Sequence, residues 1–340
     1  MLLKTSKDIA ELSGFSIGTV SRVINNHPDV SEQAREKILS IIEQEGYQPN
    51  SNARLLKRNS ASSISILVKG TKNLFFEELL ELIEKDFKDS GEEVSVVFLD
   101  ETDNEVQTAL QICNERKPKG LIFLGGNIDF FKEQFDTIKV PSVLVSGDAS
   151  SLPFENLSSY CTNDYQGGRD AVKYLLDHGH RKIGIVGGQM LSDNGWVGTA
   201  RVQGAIDCLK DCNVAFDVSK QFKPGRFSME SGYEATKELM EQNPDLTSIF
   251  ALSDTLAIGA IRALKDMGKS VPQDISIIGF DGIPYSRYSV PRITTIQQNS
   301  ELMAKKSVED LLLRISYSRD RIHELIEHSI TSGDSVKEIS

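Results

Sequence analysis

Several residue types and patterns are scarce in this chain, and their scarcity argues against a metal-binding, secreted or membrane protein. The 340 residues contain four cysteines and one tryptophan, and only Cys208 and Cys212 lie close together. No histidines stand at ligand spacing beside them, so we expect no metal site, and the cysteine usage fits a reducing cytoplasm. There is no run of about eighteen apolar residues and no apolar signal segment near the N-terminus. We therefore expect a cytoplasmic protein without a membrane partner.

The glycine and histidine patterns give no support for an enzyme. The pairs Gly125-Gly126 and Gly187-Gly188 follow strand-like runs, but neither continues as G-x-G-x-x-G or as a phosphate loop ending in Lys-Ser/Thr. The five histidines are scattered and suggest no Ser/His/Asp set. We expect no catalytic residues and no cofactor.

The N-terminal segment TSKDIAELSGFSIGTVSRVIN, residues 5–25, predicts two short helices joined by a tight turn. Gly14 ends the first helix and Ser16 caps the second. Apolar residues recur at helical spacing and should face inward: Ile9, Ala10 and Leu12 in the first helix, and Val20, Val23 and Ile24 in the second. The opposite side of the second helix carries small or hydrogen-bonding residues, as a reader of the DNA major groove requires. The same spacing also fits an ordinary helical hairpin in a small core.

A third helix is predicted over residues 32–45, and YQPNSNARLLKRN follows it. At this point the chain resembles the LacI/GalR family of bacterial transcription repressors, on the segments KDIAELSGFSIGTVSRVIN, VSEQAREKI and GYQPNSNARLL. The resemblance implies a helix-turn-helix followed by a hinge, Asn50 to Arg58, that becomes helical on operator DNA. It also implies that Leu56 wedges into the minor groove, although Leu55-Leu56 could instead be a buried pair at a domain junction.

Local physics fits the implied hinge, because a helix of eight or nine residues is too short to be stable alone and would order on binding. An apolar wedge that unstacks a base step is a known device of minor-groove binders. The predicted DNA-binding residues are Thr5, Ser16, Ile17, Gly18, Thr19, Ser21, Arg22, Asn25, Asn50, Ala53, Arg54, Leu56 and Lys57. Among them, Arg22 is the expected reader of a guanine edge.

The distribution of charge gives weaker support for DNA binding. Residues 1–60 contain eight lysines and arginines and seven aspartates and glutamates, whereas the rest of the chain contains 30 and 42. A strongly acidic chain is a poor candidate for binding nucleic acid over its whole surface. We therefore expect DNA contact to be confined to the first 60 residues and to weaken as salt rises.

From Ser62 onward, short apolar runs alternate with amphipathic segments of helical spacing, which predicts parallel α/β sheets covered on both faces. The length allows two lobes facing each other across a cleft, with ligands beyond the C-terminal ends of the strands. The segments DHGHRKIGIVGG, TARVQGAIDCL, ALSDTLAIGAIRALKDMGKSVPQDISIIGFDG and PRITTIQQN also resemble the LacI/GalR regulatory core. This resemblance implies the fold of periplasmic sugar-binding proteins.

The predicted organisation is an all-α helix-turn-helix head joined to this α/β two-lobed core. The head covers residues 1–49, the hinge 50–61 and the core 62–340. Within the core we predict an N-lobe of residues 62–162 plus 292–318 and a C-lobe of residues 163–291 plus 319–332.

We predict an effector-binding site in the core at Phe76, Asp164, Trp196, Arg201, Phe227, Ser253 and Asp281. Phe76, Arg201, Phe227 and Asp281 match ligand-contacting positions of the family, whereas Trp196 lies in a loop, residues 191–198, that looks longer than is usual there. Asp281 and Arg201 would hydrogen-bond the effector, although a turn carboxylate and a structural salt bridge are the plainer alternatives. Asp164 could simply cap a helix, the two phenylalanines could be core, and Trp196 could lie on the surface. Ser253 stands where many sugar-responsive relatives have asparagine.

The resemblance implies a sequence-specific repressor whose operator affinity depends on a small molecule, with a sugar expected and purines and sugar phosphates still open. A palindromic double-stranded DNA operator requires two-fold symmetry, and the C-terminus has no leucine heptads, so we expect a homodimer. The alternative is a solute-binding protein of the same core fold, which would leave residues 1–59 without a role.

Overall fold

A computed structural model describes residues 6–24, 30–44, 63–190 and 195–339. The chain divides into two compact units, Met1–Ala61 and Ser62–Ser340. Within the described residues, none of the helices is both long and apolar enough to span a membrane.

The described residues of the first unit form three helices, α1 (Ser6–Ser13), α2 (Ile17–Ile24) and α3 (Glu32–Gln44). Gly14 has φ +73°, a value that glycine adopts without strain, and it ends α1 as predicted. The Ser16 hydroxyl accepts a hydrogen bond from the Thr19 backbone N at 3.1 Å, which caps α2. The buried core consists of Ile9, Ala10, Val20, Val23 and Ile38.

Leu12 is an exception to the predicted apolar face of α1, since half of its surface is exposed. It lies three residues after Ile9, but the described core closes around Ile9, Ala10 and the α2 residues without it. The prediction that Leu12 is a core position was therefore wrong for this unit.

The second unit begins with five strands of a parallel sheet and the helices between them. They are β1 (Ile64–Lys69), α4 (Leu74–Asp89), β2 (Val94–Leu99), α5 (Glu105–Arg116), β3 (Leu121–Leu124), α6 (Ile128–Gln134), β4 (Ser142–Val145) and β5 (Leu157–Thr162). Apolar residues of the central strands are buried on both faces, which is why these strands read as nearly continuous apolar runs.

The C-lobe follows with a second mainly parallel sheet. Its elements are α7 (Asp164–Asp177), β6 (Ile183–Val186), α8 (Val197–Asp211), α9 (Val218–Gln221), β7 (Phe222–Lys223), α10 (Met229–Gln242), β8 (Ser248–Ala251), α11 (Asp254–Asp266), β9 (Ser276–Asp281), α12 (Tyr285–Tyr288) and β10 (Thr294–Gln297). Helices α7 and α8 pack closely at Gly204. A Cβ atom at this position would lie 2.0 Å from the Tyr165 carbonyl oxygen, so there is no room for a side chain.

The chain then returns to both lobes through α13 (Ser300–Ser316), β11 (His323–Ile326) and β12 (Ser329–Thr331). The strand order is β11-β5-β4-β3-β1-β2 in the N-lobe and β12-β10-β9-β8-β6-β7 in the C-lobe. Strand β12 pairs antiparallel with β10, whereas β11 pairs parallel with β5.

These pairings confirm the two-lobed α/β architecture but correct the lobe boundaries near the C-terminus. Strand β10 pairs with β9, so residues 292–297 belong to the C-lobe rather than to the N-lobe. Residues 319–326 end in β11 and belong to the N-lobe rather than to the C-lobe. Backbone pairing decides the assignment here, because short strands with few apolar residues carry little signal in sequence.

Candidate functional site

A cavity of about 400 Å³ opens between the two lobes of the core. Its N-lobe wall comes from the residues after β1, β2, β3 and β4. Its C-lobe wall comes from the residues around the ends of β6 and β9, the start of α8 and the segment 226–234, which leads into α10. This is the region beyond the carboxyl ends of parallel strands, where such sheets bind ligands. The volume lies within the usual range of small-molecule sites.

Arg201 is the central cation of the C-lobe wall. It is 3% exposed, and its Nε donates to Asp164 Oδ1 at 2.7 Å. One terminal nitrogen donates to the Leu252 carbonyl oxygen at 2.7 Å and reaches Asp281 Oδ1 at 3.3 Å. The guanidinium also lies 3.6 Å from the centroid of the Phe280 ring. Two carboxylates, a carbonyl and an aromatic face thus fix the arginine before any ligand arrives.

Asp281 ends β9 and faces the cavity with an unusual backbone conformation. Its φ is +103°, a region that non-glycine residues rarely adopt, so the surrounding contacts must hold it. The carboxylate of Asp254 stabilises this conformation, because its Oδ2 accepts hydrogen bonds from the backbone N of Gly282 at 2.8 Å and of Ile283 at 3.0 Å. Burial raises the pKa of Asp281 to about 7, against the attraction of Arg201.

Aromatic rings form the apolar part of the lining. Phe76 lies in the N-lobe wall, and Trp196 and Phe227 lie in the C-lobe wall. An apolar ring beside convergent polar groups is the arrangement that suits the face of a sugar ring. All three residues were predicted from the sequence.

Lys69, at the end of β1, is a buried cation that the sequence did not reveal. Its ammonium pairs with the Glu105 carboxylate, which also accepts the Asn127 backbone N at 2.6 Å. The same ammonium lies 4.8 Å from the centroid of the Phe130 ring and 4.6 Å from that of Trp196. Burial lowers the pKa of Lys69 and raises that of Glu105, and their mutual attraction opposes both shifts.

Polar contacts join the lobes at the mouth of the cavity. Arg226 Nη1 donates to Asp100 Oδ2 at 3.0 Å, and Lys72 Nζ donates to Glu230 Oε2 at 3.2 Å. Deeper in the cleft, Gln189 Nε2 donates to Glu101 Oε1 at 3.1 Å. Hydrogen bonds therefore bridge the cleft in both directions, from each lobe to the other.

Five of the seven effector residues predicted from the sequence line the cavity, and the other two lie outside its lining. The lining five are Phe76, Trp196, Arg201, Phe227 and Asp281. Asp164 does not line the cavity but holds Arg201, and the residue that caps α7 is Asn163. Ser253 is fully buried, and its hydroxyl accepts the Leu256 backbone N at 3.1 Å to cap α11.

The cavity residues that sequence reasoning missed include Lys69, Glu101, Gln189 and Arg226. Their partners lie far away in the chain, so residue spacing carried no trace of these pairs. One signal was present for Lys69, because it is the one charged residue in the buried strand β1.

The predicted DNA-binding residues fall only partly within the described region. Ser16 and Arg22 are exposed in the first unit, and Thr19 is partly exposed beside Ser16. Ile17, Gly18 and Ser21 lie on α2. The remaining predictions lie outside the described residues: Thr5, Asn25, Asn50, Ala53, Arg54, Leu56 and Lys57.

Comparison with known proteins matches both units of the chain. Residues 5–50 match the family profile described as bacterial regulatory proteins, lacI family, and residues 172–336 match that of the periplasmic binding protein-like domain. The HTH-type transcriptional regulator MalR of Clostridium butyricum is 38% identical over 335 residues, which are 97% of this chain and 98% of that protein.

Two further comparisons agree. The ribose operon repressor of Haemophilus influenzae is 32% identical over 324 residues, covering 95% of this chain and 96% of that protein. The structure of the transcriptional regulator CelR in complex with cellobiose superposes with a TM-score of 0.70 at 25% identity, covering 98% of this chain and 99% of that one.

Proposed function

The chain belongs to the lacI family of bacterial regulatory proteins, and we propose on that premise that a neutral sugar in the cleft cavity controls its operator affinity. It is a DNA-binding transcriptional regulator. Our proposal adds that it is a homodimeric repressor acting in the cytoplasm, on a palindromic operator in the nucleoid.

The observation that carries the proposal is the charge balance of the cavity. Among the described lining residues, each of the four cations has a carboxylate partner. The pairs are Lys69 with Glu105, Lys72 with Glu230, Arg201 with Asp164 and Asp281, and Arg226 with Asp100. A phosphate or carboxylate would have to displace one of these partners and then face the remaining acids. Hydroxyl groups can share the same carboxylates and pack their ring on the aromatic walls without such displacement.

The named relatives support the same ligand class. One is described as a ribose operon repressor, and one solved neighbour holds cellobiose. Neither name identifies the sugar that this chain binds. The lining residues outside the Arg201–Asp281 network decide which hydroxyl groups of a sugar find hydrogen-bond partners.

The control follows from linkage between two binding events. A sugar that binds one arrangement of the lobes more tightly than another shifts their balance, and the head then meets DNA with a changed affinity. A coupling of about 1–3 kcal/mol would change operator affinity about 5- to 150-fold.

Thermal unfolding of the full chain tests the ligand class. We expect cellobiose, maltose or ribose to raise Tm, by about 5 °C at a hundred times Kd, and glucose 6-phosphate and hypoxanthine to have no effect. A rise in Tm with only the phosphate or the purine would contradict the proposal.

A second experiment separates a repressor from a solute-binding protein of the same core fold. Residues 62–340 form the second compact unit, so a chain beginning at Ser62 should keep sugar binding. It should lose binding to an operator selected from random DNA with the full chain. If both chains bind that DNA equally, the head is not the reading unit.

A further inference from the structure

Within the described residues of the core, three segments cross between the lobes, at residues 162–164, 297–300 and 326–329. Any change in the relative orientation of the lobes must turn the backbone at these crossings. Contacts between a crossing and the cavity are therefore the shortest physical route from a bound ligand to lobe orientation.

Gln298 lies in the second crossing, between β10 and α13, and makes two hydrogen bonds to one residue of the cavity. Its side-chain Nε2 donates to Asp281 Oδ1 at 2.8 Å. Its backbone N donates to the Asp281 carbonyl oxygen at 3.0 Å. Gln298 is 1% exposed and does not line the cavity, so these bonds are shielded from water.

The oxygen that Gln298 holds is also the one that Arg201 reaches. Asp281 Oδ1 accepts from Gln298 at 2.8 Å and lies 3.3 Å from an Arg201 nitrogen. Arg201 in turn binds Asp164, the last residue of the first crossing. The cavity is thus joined to two of the three crossings by one chain of buried hydrogen bonds.

We propose that Gln298 is a positioning residue that couples occupancy of the cavity to the orientation of the lobes. A hydroxyl group that donates to Asp281 binds the same carboxylate that Gln298 holds, so ligand binding changes the hydrogen bonds that fix the second crossing. The inference rests on the proposed function for its ligand but not for its geometry.

The neighbouring glutamine does not share this position. Gln297 Nε2 donates to the carbonyl oxygens of Gly282 at 3.1 Å and of Gln298 at 3.2 Å, and it makes no described bond to a cavity carboxylate. Its amide stabilises the turn after β9, whereas that of Gln298 reaches the group that faces the ligand.

Gln298→Met tests the proposal, because methionine keeps the length of the side chain and removes its hydrogen bond to Asp281. Gln203→Met is the matched control, since Gln203 Nε2 donates to Asp207 Oδ1 at 3.0 Å on the exposed face of α8. Both full-length variants are titrated with operator DNA selected by the wild-type chain, without sugar and with a saturating amount of the panel sugar that raises Tm most.

We expect Gln298→Met to change sugar-free operator affinity at least threefold. We also expect it to reduce the wild-type response to saturating sugar to less than a third, while Gln203→Met leaves both unchanged. Wild-type behaviour of Gln298→Met in both titrations would overturn the proposal. If no sugar affects the wild-type chain, the proposed function fails, and the sugar-free titration alone decides the role of Gln298.

Gln298→Glu distinguishes a specific hydrogen bond from a general loss of stability, and it serves if the methionine variant does not fold. The introduced carboxyl group can donate to Asp281 only while it is protonated. We expect its operator affinity to approach that of the wild type at pH 5.5 and to depart from it at pH 8, with the wild type measured at both. Equal departure at the two pH values would contradict the positioning role.

Discussion

Arg201 lines the cavity, and Asp164, which holds its Nε at 2.7 Å, does not. The carboxylate therefore aligns the guanidinium from behind and leaves its cavity side to the ligand. Charge-assisted hydrogen bonds of this kind are among the stronger polar contacts in proteins.

Replacing Asp164 with asparagine tests this alignment. The change keeps the size of the side chain but removes its charge, so the guanidinium loses its ionic partner and shifts toward Asp281. We expect sugar affinity to fall about tenfold, consistent with the loss of about 1.5 kcal/mol. Isothermal titration calorimetry measures the change. Asp207→Asn on the exposed face of α8 is the control and should bind sugar as the wild type does.

The burial of Asp281 predicts that sugar binding depends on pH. Its pKa is raised to about 7, so the carboxylate loses its charge as the pH falls through neutrality. Hydroxyl groups donate to the ionised form, so we expect Kd to increase about tenfold between pH 8 and pH 6. Asp281→Asn should bind more weakly and show a flat profile over this range. A flat profile in the wild type would mean that the ligand does not bind the ionised carboxylate.

His180 predicts how the core responds to acid. It is fully buried, with Nδ1 3.0 Å from the Thr247 hydroxyl and Nε2 3.1 Å from the Lys337 carbonyl oxygen. Burial lowers its pKa from 6.5 to about 4, so the unfolded chain binds a proton before the folded one does. The stability from a neutral His180 is complete above pH 6.5 and is lost as the pH falls toward 4.

Chemical unfolding at pH 7.5 and pH 4.5 should measure this loss. We expect His180 to account for at most about 3 kcal/mol of the difference in the free energy of unfolding. His180→Gln keeps hydrogen-bonding groups and does not titrate, so its stability should fall less over the same range. An equal fall in the wild type and the variant would show that other groups govern the response.

Arg22 provides the prediction for the head. It is exposed on α2, the second helix of the helix-turn-helix. We expect Arg22→Ala to relax base preference at one position in each half-site, at a cost of about 1–3 kcal/mol for the preferred base. Selection of DNA from a random library with both chains measures it. An equal loss of affinity on all sequences, with a shallower dependence on salt, would make Arg22 a phosphate contact instead.

The sequence predicted the elements that have strong periodicity and missed those that lack it. The apolar runs SISILVK, residues 63–69, and ISIIGFD, residues 275–281, predict buried strands from sequence alone, and β1 and β9 match them to within one residue at each end. Strand β11, HELI, and strand β12, SIT, are short, and neither is an apolar run that identifies a strand. They form because their backbones pair with β5 and β10, which lie far away in the sequence. Because such pairing leaves no local pattern, the lobe boundaries were predicted wrongly.

The site divides in a similar way. Phe76, Arg201 and Asp281 were predicted because family resemblance marks their positions. The pairing of Lys69 with Glu105 and of Gln189 with Glu101 depends on how the lobes fold and face each other, which local spacing does not record. Ser253 shows the opposite error, since a resemblance in position hid a simple helix cap.

Trp196 is the one tryptophan of the chain, and the Lys69 ammonium of the opposite lobe lies 4.6 Å from the centroid of its ring. Separating the lobes would remove that cation and expose the indole to water, and both changes alter indole fluorescence. The chain therefore carries its own optical probe at the cleft. Its emission can report lobe opening in solution without any label.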